Sequence, residues 1–305
     1  MIITWLTGGL GNQMFQYAAG LALARHCQTE LKLDASWFED SPDRKPHERY
    51  GLSAFNITES FATPEEIRRT RGIRPRRLVR LAAALSRMLQ FKSIPEQNAA
   101  GNWHAPPTFA YYPGFLDQPD NTYLHGMFQS ERFFTPVSEL VRTRFTLRSP
   151  APPAIDAIAE RIKRGPSAFV HFRRGDYVRD PRYAREIGAL GRSYYERAID
   201  SFRRRHPGTM LYVFSDDIDA VAREFTPPGP HEFVREPSGT AAHDVLRLMS
   251  LCDHAIIANS TLGWWGAWLA EKPGQIVIAP GRWFADVALR DSRDILPDRW
   301  ERCDG

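Results

Sequence analysis

Seven consecutive residues, His171-Phe172-Arg173-Arg174-Gly175-Asp176-Tyr177, gather an imidazole, two guanidinium groups, a carboxylate and a phenol around one glycine. Adjacent arginines are costly to desolvate without an anion to meet them. A guanidinium presents a rigid fork of donors that matches phosphate oxygens. The run therefore suits a diphosphate held by Arg173, and equally an Arg–Asp ion pair that closes a loop. Two shorter clusters, Ser215-Asp216-Asp217 and Asn259-Ser260-Thr261, add carboxylates, hydroxyls and an amide. Together the three have the makings of a nucleotide site: cations for phosphate, a carboxylate for a base or ribose, hydroxyls and a helix start for further oxygens.

The elements that must position these residues are legible around them. Apolar runs at 167–172, 210–214 and 255–258 read as buried strands, each ending in one of the clusters. Apolar residues at helical spacing predict helices at about 152–164, 194–205, 218–225, 241–252 and 264–271, with 275–279 as a final strand. The stretch after Arg174 reads as an arginine-rich loop. Strands alternating with helices imply a parallel sheet covered on both faces. In such a sheet all strands end on one edge, where ligands bind, so the clusters are expected to converge.

The first half opens in the same way. Residues 2–6 read as a strand, Thr7 to Gln13 as a glycine-rich turn, about 12–26 as a helix and Leu31 to Asp34 as a second strand. Gly9-Leu10-Gly11 begins a dinucleotide fingerprint, but Met14 stands in place of its third glycine. Asp34 lies about where a ribose-binding carboxylate would, which keeps a dinucleotide enzyme as a minor alternative. The turn offers backbone N–H groups and the amides of Asn12 and Gln13 to an anion. Its bland role is a tight turn with Asn12 and Gln13 capping the helix. Residues 35–64 show no clear pattern. The proline-rich stretch from Leu147 to Pro153 marks the domain boundary, giving domains 1–150 and 151–305.

Residues 65–92 carry nine Lys/Arg against two acidic residues, with an apolar stripe through Leu78, Leu81, Leu85 and Leu89 opposite Arg76, Arg77, Arg80 and Arg87. A solvated surface helix is the plain reading, and contact with an anionic membrane surface is the competing one. Nucleic-acid binding is disfavoured because Phe91 is the sole aromatic there to stack on bases. Residues 101–125 are rich in aromatics and proline, as core packing or as faces for an acceptor sugar. Net charge of +4 hints only weakly at anionic partners. Three cysteines without paired spacing argue against a disulfide framework or zinc site and suit a reducing compartment. No basic n-region precedes the first strand and no apolar run reaches membrane-spanning length, so the expected location is the cytoplasm. Asp217-Ile218-Asp219 matches the Asp-x-Asp of metal-dependent sugar transferases, but acids are favoured in the first turn of a helix anyway. Arg174-Gly175-Asp176 spells an adhesion tripeptide and carries no meaning here.

Three blocks in order, Gly8-Gly9-Leu10-Gly11-Asn12-Gln13-Met14-Phe15-Gln16-Tyr17-Ala18, His171 to Tyr177, and Asn259-Ser260-Thr261-Leu262-Gly263-Trp264-Trp265-Gly266, span nearly the whole chain. In combination they resemble the α-1,2-fucosyltransferases of glycosyltransferase family 11. The resemblance implies an α/β, GT-B-like fold: two Rossmann-like domains with parallel sheets facing across a cleft, the acceptor on the N-terminal side and GDP-fucose in the C-terminal domain. It implies metal-independent, inverting transfer of L-fucose from GDP-β-L-fucose to the 2-OH of a terminal β-galactoside, in O-antigen or other surface polysaccharide synthesis. Carried over by position, Arg173 would hold the β-phosphate, His171 and Asp216 the guanosine, and Ser260 and Thr261 the diphosphate. Asn12 would reach phosphate or fucose. Arg174, Asn259, Gly11 and Gln13 complete the implied donor-binding set, and no cofactor or metal is expected. Asp176 is the candidate base, with a loop-fixing ion pair to Arg173 or Arg174 as its other role. The partners implied are GDP-fucose and a galactose-terminated or lipid-linked glycan, with no nucleic acid. Peripheral inner-membrane contact through the basic helix near Arg76 to Arg87 would suit a lipid-linked acceptor. Two other functions stay open: a metal-dependent transferase using Asp217 and Asp219, and a non-catalytic glycan-binding module using the Trp and Tyr clusters.

Overall fold

The computed structural model describes residues 1–39, 48–71, 96–97, 102–104, 109–285 and 291–304, leaving aside the side chains of 96–97, 102–104, Asp176 and Arg182. The basic segment from Arg76 to Arg87 lies outside the described residues. The chain divides into two compact units: Met1–Thr146 with Arg293–Ile295, and Leu147–Ser292 with Leu296–Gly305. Both are α/β, each built on its own largely parallel sheet.

In the first unit, β1 (Ile2–Trp5) pairs in parallel with β2 (Leu31–Asp34) and β5 (Tyr123–His125). β4 (Asn102–His104) extends the sheet in parallel, and β3 (Glu96–Gln97) closes its edge antiparallel. The helix Leu10–His26 is buried without a break from Gln13 to Ala24. No amphipathic stripe marks such a helix, because every face meets protein. It can lie close on the sheet because Gly20 has no side chain: a β-carbon there would collide with Thr4 Oγ1. Arg293–Ile295 returns to this unit and supplies Asp294, which pairs with Arg132 Nη1 at 2.7 Å and accepts from Tyr111 N at 2.9 Å.

The second unit contains a six-stranded, all-parallel sheet in the order β11-β10-β9-β6-β7-β8. The strands are β6 (Ser167–Phe172), β7 (Met210–Ser215), β8 (His231–Phe233), β9 (His254–Ile256), β10 (Val277–Pro280) and β11 (Glu301–Cys303). The chain starts in the centre at β6, steps outward to β8, then returns to β9 and steps out the other way. Counted from β6, this is the 3-2-1-4-5-6 order of dinucleotide-binding sheets, with its switch point between β6 and β9. All six residues of β6 are buried, as befits a central strand covered on both faces. The helix Arg192–Arg205 covers one face through Tyr194, Tyr195, Ala198, Ile199 and Phe202. Pro153–Ile162 is a second amphipathic helix, burying Ile155, Ile158, Ala159 and Ile162.

The structure departs from the sequence expectations in several places. The stretch after Arg174 is helical at Gly175–Arg179 and Pro181–Glu186. The helix expected from Trp264 starts at Thr261, with Ser260 as its N-cap residue. The strand at 277–280 is not the last, since β11 pairs beside it.

Candidate functional site

Three adjacent strands, β9, β6 and β7, end at the same edge of the second sheet, and each ends in one of the polar clusters. His171 is inside β6, and Arg173 and Arg174 follow it directly. Ser215 closes β7, with Asp216 and Asp217 next. Asn259 and Ser260 lie between β9 and the helix Thr261–Leu269. The switch point between β6 and β9 thus opens between His171/Arg173 and Ser260/Thr261. Two neighbouring tyrosines fix those strand ends from beneath. Tyr195 Oη donates to His171 O at 3.3 Å, and Tyr194 Oη donates to Ile257 O at 2.7 Å. Tyr195 also stacks on Phe172, ring centroids 3.7 Å apart. Sequence reasoning saw only a helix there, because neither bond has a local signature.

The arginine loop is held by acids from the β7 side. Arg173 Nη1 lies 3.0 Å from Asp216 Oδ2, and Arg174 N donates to Asp216 Oδ1 at 2.9 Å. Arg174 Nη1 pairs with Glu224 Oε2 at 2.6 Å, and Arg179 Nη2 with Asp217 Oδ2 at 2.7 Å. The Arg173 guanidinium also sits 5.4 Å from the Tyr177 ring centroid. The side chain of Asp176 lies outside the described set, and its backbone is in the helix Gly175–Arg179.

His171 is buried, and its Nδ1 has no hydrogen-bond partner. Burial brings its pKa down to about 4. Asp216 works against that shift and Arg173 adds to it. The ring is therefore neutral at pH 7. The helix Thr261–Leu269 presses against it: a β-carbon on Gly263 would lie 2.6 Å from His171 Nδ1. Asn259 is buried too. Its Nδ2 donates to Gly188 O at 2.9 Å, Trp283 O at 3.1 Å and Ile187 O at 3.3 Å, while Oδ1 has no partner. Tyr177 Oη donates to Asn259 O at 3.1 Å. Asn259 thus ties the segment after Arg173 to the end of β9. Ser260 makes no side-chain cap bond to its helix. On the same edge Glu236 follows β8, and burial raises its pKa to about 7. Only the structure reveals this group, since a lone Glu beside Arg235 carries no motif.

Asn12, Gln13 and Gly11 belong to the first unit. Gln13 is fully buried: Nε2 donates to Gly8 O and Arg49 O at 2.9 and 2.8 Å, and Oε1 accepts from Gly51 N at 2.9 Å. Asn12 Oδ1 accepts from Gln129 Nε2 at 2.9 Å. Gly8 adopts φ +74°, and a β-carbon there would lie 2.7 Å from Asn12 Nδ2. Asp34, the ribose-type candidate, is buried, accepting from Tyr123 Oη at 2.7 Å and Ser36 N at 3.0 Å.

The acids and tryptophans behind the two alternative functions are already engaged by neighbouring groups. Asp217 pairs with Arg179 and caps the helix Ile218–Glu224 through Ala220 N at 3.3 Å, and its pKa is lowered chiefly by the Arg179 bond. Asp219 pairs with Arg235 at 3.4 Å. Among the described residues no group of three or more His, Cys, Asp or Glu is placed to hold a metal. Trp264, Trp265 and Trp268 are 1% exposed or less and pack on one another, so they form core rather than a sugar-stacking surface. Phe115 and Tyr123, from the aromatic stretch of the first unit, are buried as well. Among the described residues no helix is long and apolar enough to cross a membrane.

These features define a two-unit α/β protein whose second unit offers a Rossmann-order edge lined with cations, a neutral histidine and a helix start. The chain belongs to glycosyl transferase family 11, whose family model matches residues 112–302. It is 31% identical to the O-antigen biosynthesis glycosyltransferase WbnK of Escherichia coli, over 92% of this chain and 94% of that protein. It is 30% identical to an α-1,2-colitosyltransferase of the same organism, over 99% and 98%. Galactoside α-(1,2)-fucosyltransferase 1 of Alouatta belzebul matches at 31% over 48% of this chain and 42% of its own. Among solved structures, the α-1,6-fucosyltransferase NodZ soaked with GDP-fucose aligns at TM-score 0.46 and 17% identity, over 94% and 95% of the two chains. POFUT1 in complex with GDP-fucose aligns at 0.47 and 13%, over 91% and 97%. The protein is a family 11 glycosyltransferase.

Proposed function

We propose that this enzyme transfers L-fucose from GDP-β-L-fucose, with inversion and without a metal, to the 2-OH of a terminal β-galactoside in surface polysaccharide synthesis. The observation that carries the reading is the convergence of His171/Arg173 and Ser260/Thr261 at the switch point of a 3-2-1-4-5-6 sheet. In this reading the protein has a GT-B architecture, with the donor on the second unit and the acceptor on the first. Breaking the sugar–phosphate bond leaves an oxocarbenium-like sugar and negative charge on the departing diphosphate. Arg173 and the N–H groups at the start of Thr261–Leu269 stabilise that charge. Neutral His171 and the hydroxyls of Ser260 and Thr261 orient the nucleotide, and Asn12 contributes from the first unit. Gln13 and Asn259, whose amides are bonded to backbone, hold the loops in place. The acceptor proton goes to a carboxylate, Asp176 or Glu236, or to the phosphate itself.

One relative favours a second donor: the Escherichia coli protein aligned along nearly the whole chain is named for colitose. The test offers GDP-fucose and GDP-colitose, each in EDTA, to a panel of β-galactosides, with linkage read by NMR. An α-1,2-fucoside formed at full rate in EDTA supports the reading. Transfer from GDP-colitose alone moves it to the second donor, and dependence on Mn²⁺ overturns it. Loss of one limb of the pH–rate profile in Asp176→Asn or in Glu236→Gln, with GDP binding intact, identifies the base.

A further inference from the structure

The Asp216 carboxylate is placed unlike a base-reading group. Both of its oxygens are turned back onto the loop that follows β6: Oδ2 to Arg173 Nη1 at 3.0 Å and Oδ1 to Arg174 N at 2.9 Å. A purine edge taken by this carboxylate would compete with both contacts. The loop is also shaped to receive it, since a β-carbon on Gly175 would overlap Asp216 Oδ2. Asp217 and Glu224 reinforce the grip on either side, through Arg179 and Arg174.

We propose that Asp216 is a positioning residue that presets the Arg173 guanidinium for a nucleoside diphosphate, rather than a contact to the nucleoside. This rests on the reading of Arg173 as the diphosphate-binding group. A long arginine side chain loses rotamer freedom when it meets phosphate, and holding it beforehand removes much of that cost. A guanidinium has five N–H donors, so one bond to a carboxylate is compatible with phosphate binding. The Tyr177 ring, with its centroid 5.4 Å from Arg173 Cζ, adds a second restraint.

The experiment is a double-mutant cycle on the full-length protein, with GDP and guanosine as the two probes, read by calorimetry. Asp216→Asn is expected to weaken GDP about tenfold and to leave guanosine binding unchanged, because the nucleoside does not reach Arg173. In an Arg173→Ala background, Asp216→Asn is expected to have no further effect on GDP. Gly175→Ala, which displaces the carboxylate without altering its charge, is expected to reproduce the Asp216→Asn pattern. Unchanged guanosine binding also reports an intact fold. The proposal is overturned if guanosine weakens as much as GDP, if the two substitutions add, or if Asp216→Asn leaves GDP affinity unchanged. Wild-type protein that binds no GDP, or Arg173→Ala that binds it normally, sinks the underlying reading of Arg173 and this one with it. Normal wild-type binding that Arg173→Ala weakens, combined with additive substitutions, sinks this one alone.

Discussion

Two strand–turn–helix corners in this protein look alike in sequence and differ in what they leave over. After β1, Gly8 and Gly9 lead into the buried helix Leu10–His26. After β9, Asn259 and Ser260 lead into another, Thr261–Leu269. In the first corner the amides are bonded internally: Gln13 has three backbone partners, Gln16 takes Thr7 N and Gly126 O, and Asn12 takes Gln129. Unmatched side-chain atoms beside it are Gln129 Oε1 and, on β1, Thr4 Oγ1. In the second corner Ser260 caps nothing with its side chain, Asn259 Oδ1 and His171 Nδ1 have no partners, and two arginines stand alongside. Buried polar atoms are normally paired, and the second corner leaves two of them without a side-chain or backbone partner. The same local fold is a fastener in one place and, under the proposed function, a cradle in the other.

Four experiments sharpen or break that contrast. The largest effect is expected for Arg173→Ala, which should lower turnover with GDP-fucose by at least ~10³, by analogy with transition-state arginines. Arg173→Lys should restore little, because the planar fork is lost. A near-normal rate in either variant would remove the cradle's central charge. Next comes Gly263→Ala. Alanine favours a helix, yet here its β-carbon would intrude on buried His171, so turnover should fall about 10²-fold and stability by about 1–3 kcal/mol. An unaffected rate would separate His171 from the chemistry.

The third concerns acid. In the unfolded chain an imidazole titrates near 6.5, and in the fold His171 titrates near 4. Between those values the unfolded state binds more protons. Stability contributed by neutral His171 is therefore complete above pH 6.5 and is lost as pH falls toward 4, by up to about 3 kcal/mol. His171→Asn should flatten the unfolding midpoint across that window relative to wild type, and parallel curves would refute the burial argument. The smallest effect belongs to the fastener. Gln13→Ala should cost about 2 kcal/mol by stranding the Arg49 and Gly8 carbonyls and Gly51 N. GDP affinity, measured on the folded fraction, should stay as in wild type. A drop there would make the first corner a ligand site after all.

The sequence made the central strands visible because they are continuous apolar runs closed by turn residues. Its blind spots have physical causes. His231-Glu232-Phe233 and Glu301-Arg302-Cys303 are edge strands, half-exposed and charged, so neither apolar continuity nor clean alternation announces them. Gly175–Arg179 and Pro181–Glu186 are short helices rich in arginine, with no apolar stripe to count. The polar clusters were visible as residue types at strand ends. Their division of labour was not, because it depends on partners distant in the chain. Asn259 is committed to Ile187, Gly188 and Trp283, and Asp216 to Arg173 and Arg174. The tryptophans were ambiguous in the same way, since spacing cannot say which side of a helix is covered.

The excursion of Arg293–Ile295 has a practical consequence. Neither unit is one uninterrupted stretch of gene, because the polypeptide passes from one to the other three times: after Thr146, after Ser292 and after Ile295. A fragment stopped at residue 146 loses Asp294, and with it the acceptor for Tyr111 N and the counter-charge of Arg132. A fragment begun at 147 keeps that carboxylate but none of the groups it serves. In a chimera made by exchanging halves at a single seam, the front half would therefore meet a 293–295 patch from the other parent, and restoring its own patch keeps Asp294 with Tyr111 and Arg132.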